Sequence, residues 1–135
     1  MARLVDTSVF VDLERRGGSL IDLDRVLRGE PFALASITVS ELLVGDLRSS
    51  ILERRKQRLD FVENVVQHVP VIPFETEAAH IHARLIVDLS AEGLSIGHND
   101  AIIAATALAH GYVLVTHNLR HFGRVSGLML EEASL

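Results

Sequence analysis

Short apolar runs alternate with longer helical patterns along the sequence, and this alternation restricts the possible folds more than any other feature. The apolar runs Phe32–Ala35 and 112–115 have the length and composition of buried strands. The segments between such runs carry apolar residues at helical spacing, as in 99–109. Strands that are connected through helices form parallel sheets with helices on both faces. The sequence therefore predicts an α/β fold with a mainly parallel sheet.

The elements predicted in this way are five strands and six helices. The strands cover residues 4–5, 32–35, 69–74, 112–115 and 128–130. The helices cover residues 9–14, 20–27, 39–47, 51–66, 76–92 and 99–109. Pro70 and Pro73 place the third strand at an edge of the sheet, because proline has no N–H to donate to a neighbouring strand. Gly111 is expected to end the last helix.

The composition is that of one globular domain covering residues 1–135. Hydrophobic residues make up 48% of the chain and charged residues 23%, and a chain of this length can bury its own core. No cysteine is present, so disulfides and thiolate metal sites are excluded. No apolar stretch is long enough to cross a bilayer, and the first residues lack the apolar region of a signal peptide. We therefore expect a cytoplasmic protein that does not associate with a membrane.

The formal net charge is −5, which counts against a nucleic-acid partner because such proteins usually carry a basic surface. The basic residues are unevenly placed, however. Four of them lie within residues 54–58 and are most simply explained as a solvated helix face. Arg15 and Arg16 end the first predicted helix, where positive charge suits the helix dipole. Binding of a phosphate at these two arginines is the alternative.

Polar side chains follow the predicted strands at the ends where chemistry is expected. Asp6 comes directly after the first strand, and Glu41 follows the second within a few residues. Asp100 opens the helix that precedes the fourth strand, and Thr116 and Asn118 follow that strand. Ligands of open parallel sheets bind outside the carboxyl ends of the strands. The fold class therefore predicts that these side chains surround one pocket.

Each acid also has a purely structural interpretation. Asp6 could cap the helix that follows it, and Glu41 stands three residues after Thr38, as in a capping box. Asp100 lies in a first helical turn, where the dipole favours an anion. Three carboxylates that face one pocket repel each other, however, and a divalent cation removes that repulsion. A set of oxygen ligands suits Mg²⁺, or Mn²⁺ as a substitute, rather than zinc.

Four segments, in this order, resemble the motifs of PIN-domain proteins of the VapC-like toxin type. They are LVDTS at 4–8, SELLVG at 40–45, IGHNDAIIAATA at 96–107 and VTHNLRHF at 115–122. The resemblance covers nearly the whole chain. It implies a PIN-like three-layer sandwich with a five-stranded, mainly parallel sheet flanked by helices.

The resemblance also implies a function. PIN-domain toxins of this type are metal-dependent ribonucleases, so the expected activity is Mg²⁺-dependent hydrolysis of RNA phosphodiester bonds. By motif match, Asp6, Glu41 and Asp100 correspond to the acidic residues that bind the metal and serve catalysis. The expected partners are an RNA substrate, a cognate antitoxin protein and a second copy of the chain. A mean hydropathy of +0.29 agrees with a homodimer, because it suggests more apolar surface than one modest core needs.

The same motif match places further residues beside the acids. Thr7, Ser8 and Thr116 are expected to position ligands or the substrate phosphate. Asn118 stands where the family often has a fourth acid, and we include it among the catalytic candidates. The substitution lowers the negative charge of the site. It therefore leaves open whether a second metal ion is held there.

Two other functions compete with this one. Asn118 is compatible with a PIN-like binding module that has lost catalysis. A phospho-acceptor regulatory domain also places acids at strand ends, but it needs a lysine near the end of a late strand, and the only lysine, Lys56, lies on a predicted helix. A zinc site is not expected, because His117 and His121 lie in a predicted loop without the accompanying glutamate pattern. His117 is more simply a surface residue, with substrate contact as the alternative.

Overall fold

Five short parallel strands form the middle layer of the computed structural model, which describes residues 2–135. They are β1 Arg3–Val5, β2 Phe32–Ala35, β3 Val71–Ile72, β4 Val113–Val115 and β5 Leu130–Glu131. Their order across the sheet is β3-β2-β1-β4-β5, and every neighbouring pair is parallel. The predicted five-stranded parallel sheet is therefore confirmed, and the third strand, which is shorter than predicted and flanked by Pro70 and Pro73, lies at its edge.

Seven helices connect and cover these strands in the described chain. They are α1 Thr7–Arg15, α2 Leu20–Val26, α3 Ser36–Leu47, α4 Leu52–His68, α5 Thr76–Ala91, α6 His98–His110 and α7 Leu119–Phe122. Gly111 ends α6 with a φ of 67°, a left-handed conformation that glycine adopts without strain. The position of this helix end is as predicted. None of the helices within residues 2–135 is both long and apolar enough to cross a bilayer.

The sheet separates two hydrophobic cores. Successive side chains of a strand point to opposite faces, so Leu4 packs into one core and its neighbour Val5 into the other. Leu114 and Val115 of the adjacent strand divide in the same way. One core contains buried residues of α1, α2 and α4, and the other contains residues of α5 and α6. The result is the three-layer sandwich expected from the resemblance.

Some local predictions were wrong. Helix α3 begins at Ser36, directly after β2, so Thr38 and Glu41 lie inside the helix and do not form a capping box at its start. Residues 119–122 form α7 rather than a loop. The last strand is Leu130–Glu131, later than the predicted 128–130, because its register is set by pairing with β4 rather than by its apolar run.

Candidate active site

The adjacent strands β1 and β4 place Asp6 and Thr116 side by side. Each residue directly follows its strand, and the N–H of Asp6 donates to the carbonyl of Val115 at 2.8 Å. Both side chains are buried, with 3% of Asp6 and none of Thr116 exposed. The backbone pairing of two central strands thus fixes the position of Asp6 independently of its side-chain contacts.

Two hydroxyl groups hold the Asp6 carboxylate in place. Ser8 Oγ donates to Asp6 Oδ2 at 2.7 Å, and Thr116 Oγ1 donates to the same oxygen at 2.8 Å. Oδ1 of Asp6 takes no hydrogen bond from the residues in 2–135, so one carboxylate oxygen stays available. The hydroxyls also order the loop after β4, since Ser8 Oγ accepts the N–H of His117 at 3.2 Å and Thr116 Oγ1 accepts that of Asn118 at 2.9 Å.

Glu41 reaches the same region from the middle of α3. Thr7 Oγ1, in the first turn of α1, donates to Glu41 Oε1 at 2.7 Å and lies 3.0 Å from Thr38 Oγ1. Thr38 is fully buried one turn before Glu41, so the contact ties α1 to α3. The hydroxyl of Thr7 therefore sets the direction of the Glu41 carboxylate.

Asp100 completes the acidic group from the first turn of α6. The pKa of Asp100 is raised to about 6, mainly by burial and in addition by the negative charges of Asp6 and Glu41, while His121 opposes the rise. The effect of Asp6 and Glu41 on Asp100 is that expected of carboxylates that lie near one another. Oxygen ligands of this kind match Mg²⁺ or Mn²⁺.

The carboxylates do not yet form a compact ligand group. Among residues 2–135, no three acidic or histidine side chains stand in an arrangement that could hold a metal ion as they are. Repulsion between carboxylates without a counter-charge opposes a closer approach. The donor chemistry fits a divalent cation, and Asp6, Glu41 and Asp100 are the residues that would hold it.

The structural interpretations of the three acids differ in how well they agree with the observed helix starts. Asp6 is the N-cap residue of α1, yet its side chain makes no capping hydrogen bond. Glu41 lies inside α3 and caps nothing. Asp100 does lie in a first helical turn, where the dipole favours an anion by about 0.3–1 kcal/mol. Helix capping therefore does not explain the positions of Asp6 and Glu41, and the helix dipole explains that of Asp100 only in part.

An open cleft of about 610 Å³ contains the acids. Six of the seven predicted site residues line it, namely Asp6, Thr7, Ser8, Glu41, Asp100 and Asn118. The seventh, Thr116, is buried behind Asp6. A separate cavity of about 380 Å³ lies against α5 and contains none of them. The predicted residues are therefore gathered at one place in the fold.

The cleft also includes residues that the sequence analysis left outside the site. Asp12, Arg15, Arg16 and His117 line it. Asp12 Oδ1 accepts from Arg16 Nε at 2.9 Å, and Asp12 Oδ2 lies 3.2 Å from His117 Nε2. The hydrogen bond from Arg16 is the main cause of a lowered Asp12 pKa. Helical spacing from Ser8 to Asp12 and Arg15 was the available signal for this part of the cleft.

Comparison with known proteins agrees with this arrangement. The PIN domain family model matches residues 3–128. Ribonuclease VapC1 of Rickettsia felis is 36% identical over 128 residues, which cover 95% of this chain and 93% of the relative. A tRNA(fMet)-specific endonuclease VapC of Salmonella typhimurium is 34% identical over 99 residues, 73% of each chain.

A solved structure extends the likeness to three dimensions. The crystal structure of VapBC2 from Rickettsia felis, bound to a DNA fragment from its promoter, contains a chain that superposes with a TM-score of 0.85 at 27% identity. The match covers 99% of this chain and 100% of that one. On the family model, the curated relatives and the shared fold, this chain belongs to the PIN-domain family, among its VapC proteins.

Proposed function

We propose that residues 1–135 form a single PIN-like nuclease domain that acts as the Mg²⁺-dependent ribonuclease toxin of a toxin–antitoxin pair. The observation that carries the proposal is that Asp6, Glu41 and Asp100 line one open cleft. Burial, together with the negative charges of Asp6 and Glu41, raises the pKa of Asp100 there to about 6. The names of the relatives, ribonuclease and endonuclease VapC, support the same reaction class.

The proposed metal ligands are Asp6, Glu41 and Asp100, with Mn²⁺ as a possible substitute for Mg²⁺. A divalent cation, when bound, neutralises the phosphodiester and lowers the pKa of an attacking water. Hydrogen bonds restrain the orientation of two of these ligands. Ser8 and Thr116 engage one oxygen of Asp6 and leave the other available, and Thr7 orients Glu41. These restraints lower the cost of ordering the two ligands when a metal binds.

We propose a cognate antitoxin as protein partner and a homodimer as assembly. One solved structure that resembles this chain, VapBC-5 from Mycobacterium tuberculosis, is described as a member of the VapBC family of toxin–antitoxin systems. Large apolar side chains also remain exposed, including Leu47 (60%), Leu52 (72%) and Val87 (63%). Exposed apolar groups of this size are typical of surfaces that bind other proteins.

A silent binding module is the second candidate, because Asn118 supplies no charge where the family often has an acid. It would bind RNA or antitoxin without hydrolysis. A phospho-acceptor domain has no comparable support, since Lys56 lies within α4 and does not line the acidic cleft.

Replacing Asp100 by Asn tests the proposed metal site and activity together. Magnesium at about 100 times its Kd should stabilise the wild type by about 2.7 kcal/mol, because it binds only the native state. Asp100→Asn should gain much less, and its cleavage of a defined RNA panel should fall to background. Thermal melts with EDTA or Mg²⁺, alongside the cleavage assay, measure both effects.

Asp60→Asn is the matched control, since Asp60 is exposed on α4 outside the cleft. Wild-type cleavage in EDTA, or undiminished cleavage by Asp100→Asn, would contradict the proposal.

The raised pKa of Asp100 predicts a pH effect on the metal-free protein. The folded pKa of about 6 lies above the ordinary value of 3.8, so the folded state keeps the proton longer. The stability contributed by Asp100 is therefore complete below about pH 4 and is lost as the pH rises through about 6. Allowing for solvent screening of a half-exposed group, the loss is on the order of 1 kcal/mol. Urea unfolding in EDTA at pH 4.5 and pH 7 should show Asp100→Asn gaining on the wild type at the higher pH. A constant difference would mean that neither burial nor the other acids raise the pKa of Asp100.

Asn118 is expected to tune the affinity for the metal. Asn118→Asp adds negative charge beside the cleft and should tighten Mn²⁺ binding, as seen by calorimetric titration. Asn118→Ala should reduce cleavage less than the loss of Asp6 or Asp100 does. If neither variant changes the affinity for Mn²⁺, Asn118 takes no part in binding the metal.

Association is tested by light scattering of the purified chain. The exposed apolar side chains predict the mass of a homodimer at micromolar concentration. A strict monomer, both alone and together with the antitoxin, would rule out the dimer.

A further inference from the structure

One face of α1 runs along the floor of the cleft. Ser8, Val11, Asp12 and Arg15 all line it, and their spacing of three and four residues puts them on the same side of a helix. Asp6 precedes the first turn of this helix, whereas Arg15 ends it. At 1.5 Å per residue the two are separated by roughly 13 Å along the helix axis. The cleft therefore has an acidic end and a basic end.

The three basic groups at that end are not equivalent. Arg16 is held by Asp12 at 2.9 Å and by the backbone carbonyl of Leu135 at 3.2 Å. His117 lies against the other oxygen of Asp12 at 3.2 Å. One carboxylate thus engages both groups and offsets the charge of Arg16. Neither is free to take a new anionic partner without giving up a contact.

The side chain of Arg15 is exposed and makes no hydrogen bond or ion pair with another residue in 2–135. Burial raises the pKa of Glu14, and the charge of Arg15 opposes this rise only in part. Glu14 makes its ion pair with Arg58, at 3.1 Å. The helix dipole favours a cation in the last turn of α1, and this explains a basic residue there. It does not explain why the side chain faces the cleft without a partner.

We propose that Arg15 binds a backbone phosphate of the RNA, one or two nucleotides away from the phosphate that is cleaved. The inference rests on the proposed function. The chain has a net charge of −5 and its cleft contains several carboxylates, so an RNA strand needs a local cation in order to approach. A guanidinium suits a phosphate because its planar donors match two phosphate oxygens.

A phosphate contact at this distance sets the register of the strand. Such contacts carry no base information, so Arg15 fixes where the strand lies and leaves the choice of bases to other groups. Because the contact is made equally in the ground state and in the transition state, its loss should raise KM more than it lowers kcat. Arg15 is therefore a positioning residue, and the acids remain the catalytic group.

Salt-dependent RNA binding in EDTA tests the subsite without any cleavage. Fluorescence anisotropy of a labelled single-stranded RNA across a KCl series compares wild type, Arg15→Gln and Arg15→Lys. Arg15→Gln should bind several-fold more weakly at low salt, and its slope of log K against log salt should be smaller by about 0.7, the value for one phosphate contact on a single strand. Arg15→Lys keeps the charge and should retain the wild-type slope. Arg54→Gln, on the exposed side of α4, removes an equal charge outside the cleft and should behave as wild type.

The outcomes separate this inference from the proposed function. If Arg15→Gln matches the wild type in affinity, slope and KM while RNA is still cleaved in Mg²⁺, the subsite is overturned and the nuclease stands. If the slope changes but no RNA is cleaved in Mg²⁺, the nuclease proposal fails and the phosphate contact stands. A wild type that binds no RNA in EDTA or in Mg²⁺, or an equal loss in Arg54→Gln, overturns the contact itself. Thermal melts of each variant exclude loss of folding as the cause.

Discussion

The parallel pairing of β1 with β4 decides where the rest of the site lies. Its register joins Val5 to Val115, so the residues that follow, Asp6 and Thr116, emerge together at the centre of the sheet. Because this backbone pairing brings the two side chains together, Thr116 can donate its hydrogen bond to Asp6. Because Asp6 is 3% exposed, a carboxylate at this position needs such donors to offset the loss of water. The same two strands lead into α1 and the loop 116–118, which supply further residues of the cleft.

The acids of the cleft are held together against their own repulsion by the fold around them. Asp6 precedes α1 and Asp100 lies in the first turn of α6, and the positive ends of these helices favour anions by about 0.3–1 kcal/mol. The pKa of Asp100 nevertheless rises to about 6. Burial and the neighbouring carboxylates therefore outweigh the helix end. A site that is destabilised in this way when empty gains more from a bound cation than one built from distant acids, since the cation also relieves the repulsion.

The sequence predicted the parts of the site that depend on strand ends. Asp6 and Thr116 follow apolar runs whose boundaries are sharp, so the parallel sheet placed them correctly. The start of α3 was missed because no turn residue separates it from β2, and Ala35, its N-cap, is buried in the core. The Glu41 carboxylate could still be assigned to the cleft, since a shift of the helix start does not remove it from the end of β2.

The sequence left the basic end of the cleft only as an alternative, phosphate binding at Arg15 and Arg16, for a different physical reason. Helical spacing shows that Ser8, Asp12 and Arg15 share one face of α1, but it does not show whether that face meets solvent, core or cleft. The answer depends on how α1 crosses the sheet, which is set by the burial of Val9, Phe10 and Leu13 on its other side. These apolar side chains turn the polar face of α1 outward over the ends of the strands. The net charge of −5 gives no sign of this arrangement, because it is a sum over the whole chain, whereas the packing of one helix keeps the acidic and basic ends of the cleft roughly 13 Å apart.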